Sequence, residues 1–279
     1  MPGLPDFELP DLRFVEVERL VPHEQHDEQR SQPLVAVMRS DGVLRNPPVV
    51  APLEDGRFVV LDGANRSTAA KLAGLPHLVV QVVDYHDPDL RLSIWNHALL
   101  SFPSGAIEEL LDELPELVRD TDDPVHARAV LARRDAFAVI DIGDRALTLD
   151  AGSDLEQRNR VLNHVVDSYR NRTSYHRVIT ESLAEAQQHF PGVTALVVFP
   201  HFQRAEILEL AQCGARLPAG ITRHVIPWRA LRINVPLERM ADRTEDAATK
   251  TAWLQGWLKE KVLARKVRFY EESTVLFDE

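Results

Sequence analysis

Residues 57–85, RFVVLDGANRSTAAKLAGLPHLVVQVVDY, hold the densest chemistry in the chain. Val59, Val60 and Leu61 form an apolar, largely β-branched run that ends at Asp62. Gly63 then permits a tight turn, and Asn65 to Ala73 reads as a short helix stopped by Gly74 and Pro76. A helix that opens Asn65, Arg66, Ser67, Thr68 turns unpaired backbone N–H groups and a fixed cation toward whatever lies beyond the strand end, and Gly63 and Ala64 complete that cradle. This is the physics of a phosphate site. Asp62 would repel a phosphate unless its carboxylate held a metal ion or a proton in transit, so its position points to chemistry on the phosphate. The same residues also make an ordinary turn and helix cap, and the turn alone leaves both readings open.

The elements that would position these groups begin with residues 11–22, whose apolar and charged side chains alternate as in a half-buried strand ending at Pro22. Glu24 follows on a loop, where a carboxylate can project into a cleft. Asp27 to Ser40 has helical spacing, Pro47 to Val50 leads a strand, Asp55-Gly56 turns a hairpin, and Leu78 to Val83 is a further strand. These elements make a compact α/β unit. Beyond Tyr85 the pattern changes. Helices are expected over Ile107 to Leu117, Ala127 to Arg133, Asp154 to Arg170, Arg177 to His189 and Ala205 to Gln212. A hairpin is expected around Gly143-Asp144 and a buried strand over Ala195 to Phe199. Val235 to Ala264 reads as holding a closing helix, with Trp253 and Trp257 as packing residues.

With 279 residues, 44% of them apolar, the chain can bury a full core. Its net charge of −11 argues against an extended nucleic-acid footprint, and no apolar run reaches the length of a membrane span. One cysteine, Cys213, excludes an internal disulfide, and the first ten residues lack the layout of a secretory signal, so the cytoplasm is the expected compartment. Nothing in the pattern specifies an oligomeric state.

Aspartate, glycine, two variable residues and arginine at a strand-to-helix turn, here Asp62 to Arg66, resemble the turn of the ParB N-terminal and sulfiredoxin-like fold. Within that fold, other motifs are similar to the free L-serine kinases. The sequence Pro22-His23-Glu24 lies 38 positions before Asp62, counted from Glu24, and Trp95-Asn96-His97 follows the first unit. Thr222-Arg223-His224-Val225-Ile226-Pro227 precedes Ile233-Asn234-Val235-Pro236, and the end from Phe269 through Glu279 is similar too.

The resemblance implies an α/β (α+β) chain. A ParB/sulfiredoxin-like nucleotide-phosphate-binding domain would span residues 1–92, a larger mixed α/β substrate-binding domain residues 93–279, and the active site the cleft between them. It implies phosphoryl transfer from ATP or ADP, with Mg²⁺, to the hydroxyl of L-serine. Glu24 would be the base and Asp62 its partner, through proton handling or as a ligand to the nucleotide's Mg²⁺. Gly63, Ala64, Asn65, Arg66, Ser67 and Thr68 would hold phosphate. Trp95, His97, Thr222, Arg223 and His224 would enclose the amino acid, with Arg223 suited to its carboxylate. Ala64 and Asn65 stand where some of these kinases carry histidines, and Trp228 stands where glycine is expected. The alternative is a ParB-like, nucleotide-dependent DNA-binding or regulatory protein, opposed by the acidic charge and by the lack of a basic recognition helix. Sulfiredoxin chemistry needs a cysteine near the turn, and Cys213 is far along the chain.

Overall fold

In the computed structural model the described residues are 9–26, 28–112 and 117–270. The similarity expected over residues 271–279 and the end of the expected helix at 113–116 lie outside them.

The chain first lays down β1 (Leu12–Glu16), a 3-10 turn (Val17–Arg19), β2 (Leu20–Pro22), α1 (Glu28–Asp41), β3 (Val43–Leu44) and β4 (Val49–Pro52). It continues with β5 (Phe58–Asp62), α2 (Ala64–Leu72) and β6 (His77–Val82). Five of these strands form one mixed sheet in the order β1-β6-β4-β5-β2. Its side chains obey the period of two: Val59 and Leu61 join the largest hydrophobic cluster, while Val60 between them packs with Val15, Val50 and Val80.

Then come β7 (Arg91–Ile94), β8 (Asn96–Leu100), α3 (Ser104–Asp112), β9 (Val118–Asp122), α4 (Pro124–Ala132), β10 (Ala138–Asp141) and β11 (Ala146–Asp150). These are followed by α5 (Leu155–Arg170), β12 (Tyr175–Val178), α6 (Leu183–His189), β13 (Val193–Val198) and α7 (Arg204–Cys213). A second, antiparallel sheet runs β12-β8-β13-β10-β11-β9. The buried face of α5, with Val161, Leu162, Val165 and Val166, shares a cluster with Leu99 and Val197 of that sheet and with Val59 and Leu61 of the first. One continuous core therefore holds the two sheets together, which fixes the ends of their strands relative to one another.

The chain closes with β14 (Thr222–Val225), β15 (Val235–Pro236), α8 (Leu237–Ala241) and α9 (Ala247–Leu263). Strand β14 pairs with β7, so the Thr-Arg-His trio is strand, ordered by backbone bonds to residues 91–94. From α9, Leu254 returns to pack with Leu12, Phe14 and Leu78 of the first sheet.

Two expectations are corrected. The single strand over residues 11–22 is two strands split by the 3-10 turn. The helix expected over Arg177 to His189 begins only at Leu183, because Tyr175–Val178 pairs with β8. The closing helix expected within 235–264 is α9, which carries Trp253 and Trp257 and which Asp246 caps by accepting a hydrogen bond from the Thr249 N–H.

Candidate active site

At the end of β5 the backbone turns through Gly63, with φ of 92°, into α2. A Cβ there would come within 3.1 Å of Pro48 and 3.0 Å of the Arg66 guanidinium, so both conformation and space call for glycine. Arg66 folds back over the turn. Its Nη1 donates to the carbonyls of Asn46 (2.7 Å) and Pro47 (3.2 Å), and its Nη2 to Asp62 Oδ2 at 2.8 Å. A second guanidinium, that of Arg229, reaches the same carboxylate oxygen at 2.5 Å. Asp62 is 48% exposed at its side chain. Burial alone would push its carboxyl up, but Arg229 and Arg66 outweigh that and hold it below the usual carboxylate range. Only Oδ2 takes these bonds, so Oδ1 makes no hydrogen bond or ion pair among the described residues.

Glu24 is held from the other side. Its segment is pinned by Gln25 N–H donating to Leu217 O and Leu217 N–H donating to His23 O, both at 2.8 Å. The carboxylate is nearly buried, 9% exposed, and accepts three hydrogen bonds. Oε1 takes the Thr222 N–H (2.7 Å) and hydroxyl (2.5 Å), and Oε2 takes the Gly220 N–H (2.8 Å). A carboxylate offers about four lone-pair positions. One acceptor position is left, on Oε2. His23 backs this arrangement: Nδ1 donates to Val60 O at 2.5 Å, and Nε2 meets the Thr222 hydroxyl at 2.8 Å.

Both carboxylates line one cleft of about 1060 Å³, with Gly63, Ala64, Asn65, Arg66, Trp95, Thr222, Arg223 and His224. The Arg223 guanidinium lies over the Trp95 ring, 4.9 Å from its centroid, so the tryptophan is a platform for a cation. His224 meets the Tyr85 hydroxyl at 2.9 Å, and burial, with His23 beside it, lowers its imidazole to about 3. Leu34, Val37 and Met38 of α1, with Leu231, add apolar wall to the cleft.

Three expected residues are not in the cleft wall. Ser67 is buried in α2, its hydroxyl donating to Ala64 O at 2.9 Å, and Thr68 follows it on the helix. His97 is fully buried inside the second sheet, Nδ1 meeting the Tyr169 hydroxyl at 2.7 Å and the ring stacked on Tyr175. Burial, and then the nearby Arg177 and Arg170, lower it to about 3. Three arginines in the wall, Arg45, Arg177 and Arg229, were not among the residues read from the sequence. Arg229 lies two positions past Pro227, close enough to the trio to have been found.

The buried rings of His97 and His224 predict an acid-labile fold. Unfolded, each binds a proton near pH 6.5; folded, each stays neutral down to about pH 3. The unfolded state takes up protons first, so stability falls as pH drops from about 6.5 toward 3, by up to about 1.4 kcal/mol per pH unit per ring. Urea unfolding across this range should show a shallower slope for His97→Phe, and an unchanged slope contradicts a neutral buried ring.

No protein-family model matches the chain. Its fold is that of the free serine kinases. A free serine kinase in complex with AMP superposes with a TM-score of 0.70 at 18% identity, covering 85% of this chain and 98% of that one. The C-terminally truncated SbnI of Staphylococcus aureus does so with a TM-score of 0.70 at 26% identity, covering 91% and 96%.

The chain is a homologue of proteins named L-serine kinases. It is 27% identical over 272 residues to the ATP-dependent L-serine kinase SbnI of Staphylococcus aureus, covering 96% of this chain and 97% of the relative. It is 21% identical over 247 residues to the ADP-dependent L-serine kinase SerK of Thermococcus kodakarensis, covering 85% and 98%. The resemblance read from the motifs, and the mixed α/β fold it implied, are borne out over nearly the whole length.

Proposed function

We propose that this protein is a free L-serine kinase, transferring the terminal phosphoryl group of ATP or ADP to the serine hydroxyl. The observation that carries the reading is the pairing, on one cleft, of a carboxylate with one open acceptor position and a helix N-terminus flanked by two guanidiniums. The serine hydroxyl donates to Glu24 Oε2 and its proton passes to that oxygen as the oxygen of serine bonds to phosphorus. The bond from phosphorus to the bridging oxygen breaks, and the nucleotide leaves one phosphate shorter. The open N–H groups at the start of α2, with Arg66 and Arg229, oppose the charge on the phosphates. The apolar wall that Leu34, Val37 and Met38 of α1 add to the cleft suits a nucleobase.

Magnesium fits as a companion of the nucleotide. No cluster of three or more metal-ligating side chains occurs among the described residues, whereas Asp62 Oδ1 offers one carboxylate oxygen beside the phosphate turn. One carboxylate plus substrate phosphates is an ordinary Mg²⁺ ligand set, and the ion would spread charge over the transferring group. In this reading residues 1–92 hold nucleotide and residues 93–279 supply most of the serine pocket. No described helix is long and apolar enough to cross a membrane. The single cysteine fits the reducing cytoplasm, the compartment we assign.

Nucleotide chromatography tests the assignment and the donor together. With L-serine and Mg²⁺ present, either ATP yields ADP or ADP yields AMP in step with phosphoserine. Nucleotide turnover indifferent to serine would refute it.

A further inference from the structure

Arg177 sits on β12, the edge strand of the second sheet, directly across from His97 on β8. Side chains opposed in an antiparallel pair rise from the same face, and here the shorter one stays buried while the longer reaches the cleft. Its guanidinium lies against the peptide at Ala219-Gly220, where Nη2 donates to Ala219 O at 3.4 Å. Gly220 has φ of 71°, and a Cβ built on it would overlap Nη1, Nη2 and Cζ of Arg177. Only glycine gives the guanidinium this seat. The same Gly220 donates its N–H to Glu24 Oε2, the oxygen that keeps an open acceptor position. No carboxylate among the described residues pairs with Arg177.

These contacts place a cation beside the point where the proposed reaction takes its proton. In L-serine the carboxylate carbon is three bonds from the hydroxyl oxygen. A serine whose hydroxyl donates to Glu24 Oε2 therefore brings its carboxylate within reach of the guanidinium next to Gly220. We propose that Arg177 binds the α-carboxylate of the amino acid and makes the site selective for free serine over serine whose carboxyl is amidated or in a peptide bond. This rests on the kinase reading. A planar guanidinium matches a carboxylate through two parallel hydrogen bonds, and a neutral amide cannot replace the charge. Arg223, expected from sequence to bind this carboxylate, lies over Trp95 on the same cleft, and the assignment of the carboxylate to Arg177 rests on its contact with Gly220 beside Glu24 Oε2.

Steady-state kinetics with L-serine and L-serinamide, in the wild type and in Arg177→Met, Arg177→Lys and Gly220→Ala, test the assignment. In Arg177→Met the KM for L-serine should rise about 10- to 100-fold, with the KM for nucleotide and the kcat nearly unchanged. The preference for L-serine over L-serinamide should collapse. Arg177→Lys should recover part of that preference, because it keeps the charge and loses the planar fork. Gly220→Ala should reproduce the serine KM defect by displacing the guanidinium. Because Arg177 is exposed on an edge strand, the Met and Lys variants should melt with the wild type. An unchanged serine-to-serinamide preference in both, or a rise in the nucleotide KM instead, would overturn the proposal while leaving the kinase standing. A wild type that forms no phosphoserine would instead remove the kinase reading, and this proposal with it.

Discussion

Replacing Glu24 by Gln is expected to lower phosphoserine formation on the order of 10²- to 10⁴-fold, the range lost when a positioned general base is removed. The geometry makes the substitution more than a loss of charge. Oε1 accepts two donors from Thr222 and Oε2 one from Gly220. The amide oxygen of glutamine can serve one side only, and its NH₂ must then face a backbone N–H. That mismatch should cost about 1–3 kcal/mol of stability, visible in thermal melting. Nucleotide binding at the far turn should survive, and measuring it separates the catalytic loss from misfolding. A rate within a factor of about three of wild type would remove Glu24 as the base.

The second large effect concerns the arginine pair around Asp62, where two substitutions should act in opposite directions. Arg229 lines the cleft, and its buried Nη1 has no hydrogen-bond partner among the described residues, so the guanidinium keeps donor capacity beyond its bonds to Asp62 and Pro47. Arg229→Met should weaken nucleotide binding about 10- to 100-fold, since a charged hydrogen bond contributes roughly 1.5–3 kcal/mol. Asp62→Asn removes the carboxylate that neutralises both guanidiniums, so binding of metal-free nucleotide should tighten. Its turnover should fall and its Mg²⁺ requirement rise, because the oxygen available to the ion has lost its charge. Calorimetric titration with and without Mg²⁺ reads both signs, and equal weakening in the two variants would contradict the clamp.

What the sequence revealed and what it hid follow from how each group is positioned. Asp62 ends an apolar run and the Thr222-Arg223-His224 trio interrupts one, so local pattern marks them as polar exceptions, whereas Glu24, a loop carboxylate, and the role of all five came from the resemblance to the free serine kinases. The structure brings them into one cleft. Arg177 carries no such mark. It reaches the cleft only because β12 pairs with β8, so the Trp95-Asn96-His97 motif pointed to His97 while the cleft receives the residue opposite it. The helical spacing after Arg177 also disguised an edge strand, which long-range pairing defines. Ser67 was misplaced for a local reason: it shares the inner face of α2 with Ala70, three positions on, and both are buried. The pairing of β14 with β7, which carries Thr222 to Glu24, joins segments whose periodicities say nothing about each other.

The central claim is that this cleft moves a phosphoryl group onto free serine. ³¹P NMR of the wild-type protein with L-serine, Mg²⁺ and ATP or ADP tests it most directly. A phosphomonoester resonance matching O-phospho-L-serine should grow as the nucleotide's terminal phosphate resonance declines, with the two changes equal. Inorganic phosphate as the sole product, or no change with either nucleotide, would contradict it.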